Sequence, residues 1–354
     1  MNSIFERMCE QDYEQIVFCQ EKMFGLRAII VIHDTTLGPA LGGMRMWDYQ
    51  DEEAALNDAL RLARGMTYKN AAAGIPYGGG KAVILGDPRP EKDEGLLRAL
   101  GRFVHRLNGL FLTGVDVGTT VADMEVMRLE TPYIVTVSEE RGGPGDTSLI
   151  TAYGVLQGML ACLEEVYGKP TLEGRSVAIQ GVGGVGATLV DYLAKAGATI
   201  TIADVDQQKV QAVAARYSMV KIMSPEEMHK LEVDIYSPCA LGAGLNDQTL
   251  PNLRCKIVCG GANNQLAEER HGTMLARQGI VYAPDYIVNA GGVIAGAESL
   301  AVGGFHQQRA MKQVERIYQT MKKVFSIARE RELPTYQAAN ILAEERLAIM
   351  RQVR

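Results

Sequence analysis

Two lysines and one aspartate in the first part of this 354-residue chain have the types and surroundings of reactive groups. Lys81 directly follows three glycines in "PYGGGKAVILGDP" (76–88) and leads into an apolar run. Lys69 lies twelve residues earlier in "GMTYKNAAAG", and Asp116 stands between glycines and threonines in "LTGVDVGTT". Glycines let another group approach the backbone, so a lysine beside them is either a phosphate hook or a catalytic amine. The phosphate-loop pattern G-x-x-x-x-G-K-[ST] fails here: Ile75 stands six residues before Lys81, and Ala82 follows it. Lysine is ordinarily a solvated residue, but the neighbours of both lysines are mainly small or apolar. That setting suits an amine with a task.

A second constellation lies further along. "GVGGVG" places Gly181, Gly183 and Gly186 in G-x-G-x-x-G spacing, with Gly184 and Val185 completing the turn. It follows the apolar strand "SVAIQ" and opens an amphipathic helix. The next strand ends in Asp204, 23 residues after Gly181. This arrangement brings a pyrophosphate onto a helix N-terminus and a carboxylate onto the adenosine ribose. The charge of Asp204 opposes a 2′-phosphate and favours NAD over NADP; Asp206 adds to it, while Lys209 leaves the strictness of that preference open. A nicotinamide cofactor with two lysines and an aspartate points to amine–carbonyl redox chemistry.

The elements that must position these groups are readable from periodicity. "LRAIIVIHD" (26–34) is a buried strand; 51–73 is a helix with acids in its first turn; "KAVILGDP" is a strand ending at a turn; 91–109 is a helix with Leu96, Leu97, Leu100, Val104 and Leu107 on one face. After "RGGPGDTS" (141–148) a helix from about Thr151 leads into strands alternating with helices, among them "MVKI", "VDIYSPCA", "CKIVCGGA" and "GIVYAPD". That alternation predicts a parallel, doubly wound sheet. "SPEE" (224–227) reads as a capping box. Two helical patterns, 307–331 and 335–352, close the chain, the last expected to pack on the first domain.

The bulk composition excludes other classes. The chain is 47% apolar and 22% charged with net charge −6, so no basic excess points to nucleic acid. There is neither a signal-like apolar core at the start nor an uninterrupted apolar run of membrane-spanning length. The six cysteines include no CxxC pair, which fits reduced thiols in a cytoplasm. Cys255 and Cys259 have no partner cluster for zinc, and no metal is expected.

Together "HDTTLGPALGGMRMW", "ALRLARGMTYKNAAAG", "GGGKAVILGDP", "DVGTT", "GVGGVG", "ALGAGLND", "GANNQL" and "YAPDYIVNAGGV" resemble the glutamate/leucine/phenylalanine/valine dehydrogenase superfamily from about Phe5 to Arg346. The resemblance implies a two-domain α/β fold with a cleft between the domains. An N-terminal α/β substrate and oligomerisation domain would span 1–148, completed by the helix at 335–354, and a Rossmann-type, doubly wound NAD-binding domain would span 149–334. It also implies a cytoplasmic homo-oligomer of unspecified size, acting on small molecules without nucleic acid or membrane. The implied activity is reversible, NAD-dependent oxidative deamination of an L-amino acid to a 2-oxo acid and ammonia.

By the same resemblance Lys81 is the catalytic amine and Asp116 holds the substrate amine. Lys69 binds the substrate carboxylate, aided by Gly42, Gly43 and Asn289. Asn263 meets the nicotinamide carboxamide, and Thr151 and Ala240 line the cofactor site. Leu41, Met66, Gly114, Val293 and Gly296 complete the substrate side. The glycines before Lys81 are expected to leave room for substrate and nicotinamide.

Glutamate enzymes of the superfamily carry lysine where this chain has Leu41, so an apolar substrate is expected. Gly114 and Gly296 stand where leucine enzymes carry alanine and valine, which predicts a roomy leucine-type pocket. A phenylalanine enzyme is the alternative; a glutamate enzyme or a non-catalytic NAD-binding regulator fits less well.

Overall fold

The nine residues of "LRAIIVIHD" are apolar enough to be covered on both faces, and they form an interior strand of a sheet. The computed structural model describes residues 3–353. Met1, Asn2 and Arg354, which bound the sequence-derived ranges 1–148 and 335–354, lie outside the described residues. The chain divides into two compact units. Unit 1 takes the residues through Asp146, then Val293–Gln307 and the chain from Ala343 onward; unit 2 takes Thr147–Gly292 and Gln308–Leu342. Val293–Gln307 thus joins unit 1, although its place in the sequence sets it with the second half.

Unit 1 begins with α1 (Ile4–Glu10), β1 (Gln15–Glu21), β2 (Leu26–Asp34), β3 (Ala40–Trp47) and α2 (Glu52–Ala72), followed by β4 (Gly78–Leu85), α3 (Glu94–Arg106), β5 (Phe111–Val115) and α4 (Val121–Arg128). Among the described residues its strands form one sheet in the order β1-β2-β4-β3-β5. The pairs β1–β2 and β2–β4 are antiparallel, while β3 runs parallel to β4 and β5. Side chains alternate between the faces of a strand. On one face Ile29, Val31, Val83 and Leu85 pack with Leu56, Ala59, Leu60 and Ala63 of α2. On the other, Ile30, Ile32, Ala82 and Ile84 pack with residues of α3 and α4 such as Leu97, Leu100, Met124 and Met127. Each fully buried large apolar side chain contributes roughly 1.5–3 kcal/mol. Lys81 lies two residues before Val83 and therefore shares the α2 face.

Helix α2 is fixed at both ends and in the middle. The Asp51 side chain accepts from the Ala54 N–H, with Glu52 and Glu53 in the first turn. At the other end Arg346 Nη1 donates to the Ala71 carbonyl at 2.7 Å, and its Nη2 to that of Ile75 at 3.0 Å. Between them, Asn70 Nδ2 donates to the Leu41 carbonyl at 3.0 Å and the Gly78 carbonyl at 2.6 Å, joining α2 to β3 and β4. His33 Nδ1 lies 2.8 Å from Thr67 Oγ1, and burial lowers its pKa to about 4, so it supports α2 as a neutral ring. At Gly79 the helix touches the strand: a Cβ there would overlap the Thr67 backbone nitrogen and hydroxyl.

Unit 2 begins with α5 (Ser148–Tyr167), β6 (Ser176–Gln180), α6 (Gly184–Lys195), β7 (Thr199–Ala203), α7 (Gln207–Ala214), β8 (Lys221–Ile222), β9 (Glu232–Pro238) and β10 (Arg254–Val258). Then come α8 (Glu269–Arg277), β11 (Val281–Tyr282) and α9 (Asp285–Val288). The chain ends with α10 (Gly291–Glu298), α11 (Gln307–Val314), α12 (Arg316–Glu330) and α13 (Thr335–Val353), which pass through both units. Its sheet is parallel throughout, in the order β11-β10-β9-β6-β7-β8 among the described residues, the doubly wound dinucleotide-binding order. Helix α5 is long and apolar enough to cross a membrane by length and composition, but Ile150, Val155, Met159, Cys162 and Leu163 are buried within the protein.

Three local expectations are corrected. "SPEE" starts no α-helix: residues 225–227 form a turn leading to a 3-10 turn at Met228–Lys230 without a side-chain cap. Met228 is fully buried there, and so short a connection favours that anchor over a helix that is marginal at this length. The pattern 307–331 is interrupted at Glu315, although the Glu315 N–H still bonds the Met311 carbonyl at 3.0 Å. The last helix reaches unit 1 only from Ala343 onward.

The contact at Gly79 generates a stability prediction. Gly79→Ala drives a methyl into backbone, which cannot rotate away, and should destabilise by about 3 kcal/mol. Urea unfolding measures this, and a loss below about 1 kcal/mol would show that α2 and β4 can separate cheaply.

Candidate active site

Asp116 stands one residue beyond β5, and its carboxylate is where two cations meet. Lys81 Nζ lies 2.6 Å from Oδ2, and Arg45 Nε donates to the same oxygen at 3.1 Å. Arg45 Nη1 also reaches Asp58 Oδ2 at 3.0 Å, which accepts the Tyr49 hydroxyl at 2.7 Å. The Lys81 and Asp116 side chains are only 6% and 13% exposed. Burial alone would raise the Asp116 pKa. The Lys81 and Arg45 charges and the Val117 N–H outweigh it, and the carboxyl is pulled down to about 2.

The sequence reading paired Lys81 with Asp116 as reactive groups but missed Arg45, Asp58 and Tyr49. One signal was available: Arg45 is the lone charge in the strand "ALGGMRMW", and a half-buried charge needs a partner.

The glycines do not act as the sequence reading expected. A Cβ on Gly78 would overlap the Asp34 carbonyl, one on Gly79 would overlap Thr67, and one on Gly80 would press on Phe111 at 3.0 Å and Ala40 at 3.1 Å. Protein atoms already fill the space over all three, so they serve close packing instead of leaving room for a substrate. Gly43 is the glycine that faces the ion pair, since its Cβ would come 2.9 Å from Asp116 Cβ and 3.2 Å from Lys81 Nζ. A Cβ on Gly42 would overlap the Gly80 carbonyl and meet Met66 Cγ at 3.0 Å, which places Met66 against β3. Leu41 is buried on β3. Lys69 follows Met66 by about one turn of α2 and directly precedes the Asn70 clamp.

Gly114 leaves no void either. A Cβ there would overlap the Thr136 hydroxyl, which accepts the Val115 N–H at 2.8 Å. Gly296 on α10 faces Val135, with 3.2 Å between an added Cβ and Val135 Cγ2, and Val293 lies about one turn earlier on that helix. Unit 1 therefore joins Gly114, Val135, Thr136 and Gly296 in one patch. Val135 and Thr136 went unnoticed because nothing in their local pattern marks them.

In unit 2 the three motif glycines have separate reasons. Gly181 has φ +102°, and its Cβ would come 2.6 Å from the Ala240 nitrogen. A Cβ on Gly186 would overlap the Gly181 carbonyl, whereas Gly183 has open space around it at the start of α6. Gly184 faces Ser148, and Val185 lies against Gly261. The Asp204 carboxylate accepts the Val182 N–H at 2.8 Å and the Asp206 N–H at 2.9 Å, which holds it beside the glycine turn. An open backbone at a helix N-terminus beside a fixed carboxylate fits a dinucleotide. Asn289 Nδ2 donates to Asn263 Oδ1 at 2.7 Å, so the two asparagines act as one pair in unit 2. Thr151 Oγ1 lies 3.5 Å from the Cβ position of Gly292.

The parallel sheet with this glycine turn has the form of a dinucleotide-binding unit, and unit 1 separately holds a buried lysine–aspartate pair. Residues 14–133 match the Glu/Leu/Phe/Val dehydrogenase dimerisation domain, and residues 201–354 match the Glutamate/Leucine/Phenylalanine/Valine dehydrogenase family. The chain is 52% identical to leucine dehydrogenase of Geobacillus stearothermophilus over 99% of its own length and 95% of the relative's. It is 46% identical to phenylalanine dehydrogenase of Caldalkalibacillus thermarum, over 95% and 91% of the two chains. The crystal structure of L-tryptophan dehydrogenase from Nostoc punctiforme superposes with a TM-score of 0.86 at 44% identity, covering 99% of this chain and all of that one. The chain belongs to the glutamate/leucine/phenylalanine/valine dehydrogenase family and is an amino-acid dehydrogenase.

Removing the central carboxylate should expose its electrostatic role. Asp116→Asn leaves two buried cations without their shared anion and should cost about 3 kcal/mol at neutral pH. A carboxyl lowered to about 2 in the folded protein stabilises fully above its unfolded value, and that contribution fades as pH falls through 2. Urea stabilities of wild type and variant should therefore converge between about pH 4 and pH 2. A constant gap would place the loss elsewhere than in the ion pair.

Proposed function

We propose that this protein catalyses the reversible, NAD-dependent oxidative deamination of an apolar L-amino acid of the leucine or branched-chain type, giving the 2-oxo acid and ammonia. The observation that carries the proposal is the buried contact of Lys81 with Asp116 beside Gly43. Unit 1 is the substrate and oligomerisation domain, and unit 2 is the NAD-binding domain. The protein works in the cytoplasm as a homo-oligomer.

Bound NAD supplies the acceptor for the hydride leaving the substrate Cα. Lys69 pairs with the substrate carboxylate, with Gly42, Gly43 and Asn289 at its margins. Asp116 accepts a proton from the substrate ammonium, so the nitrogen lone pair can form the C=N bond as the hydride departs. Lys81 takes a proton from the water that attacks this iminium carbon. Lys81 then returns that proton to nitrogen and takes the hydroxyl proton as the C=O bond forms and the C–N bond breaks to release ammonia.

Asp204 receives the adenosine ribose hydroxyls, and Gly183, Gly184, Val185 and the α6 N-terminus receive the pyrophosphate. Gly181 and Gly186 shape that turn. Thr151, Ala240 and Asn263 face the nicotinamide portion. Leu41 and Met66, with Val293 and the patch around Gly114 and Gly296, meet the substrate side chain. Buried Leu41 opposes glutamate, whose second carboxylate would lose water without gaining a partner. The missing side chain at Gly296 and the relatives named for phenylalanine and tryptophan support larger apolar substrates as a second reading.

Two measurements test the proposal. NADH formation with leucine, valine, phenylalanine and glutamate at alkaline pH, with NADP in parallel, should show leucine active, glutamate inert and NAD preferred. Lys81→Ala should lower kcat by at least roughly 1,000-fold while NAD still binds, and retention of a tenth of wild-type turnover would sink the assignment.

A third measurement separates the two substrate readings. Gly296→Val adds a side chain that presses on Val135 and should reduce kcat/KM for phenylalanine about 10-fold more than for valine. An unmoved ratio would show that Gly296 does not set substrate size.

A further inference from the structure

Arg45 has no place in the chemistry above, yet it is bound to that chemistry's central carboxylate. Its Nε donates to the oxygen of Asp116 that also meets Lys81, at 3.1 Å against 2.6 Å. Its Nη1 is anchored 3.0 Å from Asp58 on α2. Asp58 is held in turn by the Tyr49 hydroxyl at 2.7 Å and by Arg61 Nη2 at 2.8 Å. The result is an alternating row: Lys81 from β4, Asp116 after β5, Arg45 from β3, Asp58 and Arg61 from α2. Tyr49, from the β3–α2 connection, is pushed well above its ordinary range by burial and the Asp58 bond, so it remains a protonated donor. Helix α2 also carries Lys69. The Arg45 side chain is only 16% exposed, so the row from Lys81 to Asp58 is largely removed from water, while Arg61 at its end reaches the surface.

The two cations on Asp116 differ in one property. A lysine can release its proton, whereas an arginine in a protein does not. When Lys81 acts as a base, Asp116 alternately has two counter-cations and one. A buried carboxylate left with no cation would protonate and turn from its partner. We infer that Arg45 is a positioning residue for the deamination, holding Asp116 ionised and fixed in direction while Lys81 loses and regains its proton. The inference rests on the roles proposed above for Lys81 and Asp116.

The test compares pH profiles of kcat/KM and kcat for the full-length enzyme with leucine and NAD, alongside NADH binding by fluorescence. Arg45→Gln should move the acidic limb of kcat/KM upward by about one pH unit, because removing the guanidinium takes a positive charge away from the Lys81–Asp116 pair, which then holds its protons more tightly. It should also lower kcat at neutral pH roughly 10-fold with NADH binding unchanged. Arg45→Lys keeps a cation and should return the limb to near its wild-type position. Arg45→Gln takes from Asp58 the more buried of its two cations, so the double variant Arg45→Gln/Asp58→Asn, which removes both charges, carries the same expectation if the single variant fails to fold. A folded variant lacking the Arg45 charge whose acidic limb is unmoved overturns the inference, even if its melting temperature falls. Lys81→Ala and Asp116→Asn in the same assay test the underlying reading: if either remains active, that reading fails, whereas if both are inactive and the limb stays in place, only the role of Arg45 fails.

Discussion

Helix α2 lies on strand β4 with no side chain between them at Gly79, and the geometry of unit 1 follows from that contact. It sets the height of Thr67 over the sheet, and with it the turn of helix that carries Met66, Lys69 and Asn70. The strand on the other side of the contact carries Lys81 two residues later, on the face toward α2. So close an approach leaves strand carbonyls facing a helix, and buried carbonyls need donors. Asn70 supplies two such bonds, to Leu41 and Gly78. Arg346, from the far end of the sequence, closes the carbonyls at the helix C-terminus. A helix held this way places its side chains, Lys69 among them, within tight limits.

On that frame sits an arrangement that stability alone does not explain. Buried ion pairs recover their desolvation only with good geometry and further hydrogen bonds, and an apolar replacement is often as stable. The row from Lys81 to Asp58 uses four partly or fully buried charges where the same sheet face otherwise packs Val83 and Leu85 against alanines and leucines. A fold under no other demand would continue the apolar pattern. On the roles proposed for Lys81 and Asp116, the charges answer a need of the chemistry: Asp116 has to be an ionised acceptor next to a lysine that changes state, and the opposing cations supply the field for it.

What the sequence disclosed and what it withheld differ in range. The limits of β2 and α2, the glycine turn and the parallel order of unit 2 are written in local signals: periodicity, an aspartate cap, G-x-G-x-x-G after an apolar strand. Family resemblance placed Lys69, Lys81 and Asp116 without showing what they touch. The Arg45–Asp116 bond joins residues 71 apart in the chain, and no local pattern encodes it. The glycines before Lys81 were legible as places of close approach, but not as to what approaches: a helix and neighbouring strands occupy that space. The "SPEE" signal was correct chemistry for a cap, and it lost to the burial of Met228.

The same difference governs how substrate size can be read. Gly114 looked like a side chain removed, and the volume was expected to pass to the substrate. In the folded chain that volume belongs to Thr136, from a segment 22 residues later, whose hydroxyl is tied to the Val115 N–H. Its β-branched side chain has few rotamers to escape into, and turning it would give up that bond. Glycine at 114 and threonine at 136 are therefore one solution to one packing constraint, and neither reports pocket size by itself. Gly296 is different in kind, since its nearest neighbour is an apolar methyl of Val135 that would have to yield by a few tenths of an ångström to admit a side chain. Of the two glycines that distinguish this chain from the leucine pattern, only Gly296 is bounded by an apolar methyl instead of a hydrogen-bonded hydroxyl, and it is the one left to the substrate reading proposed above.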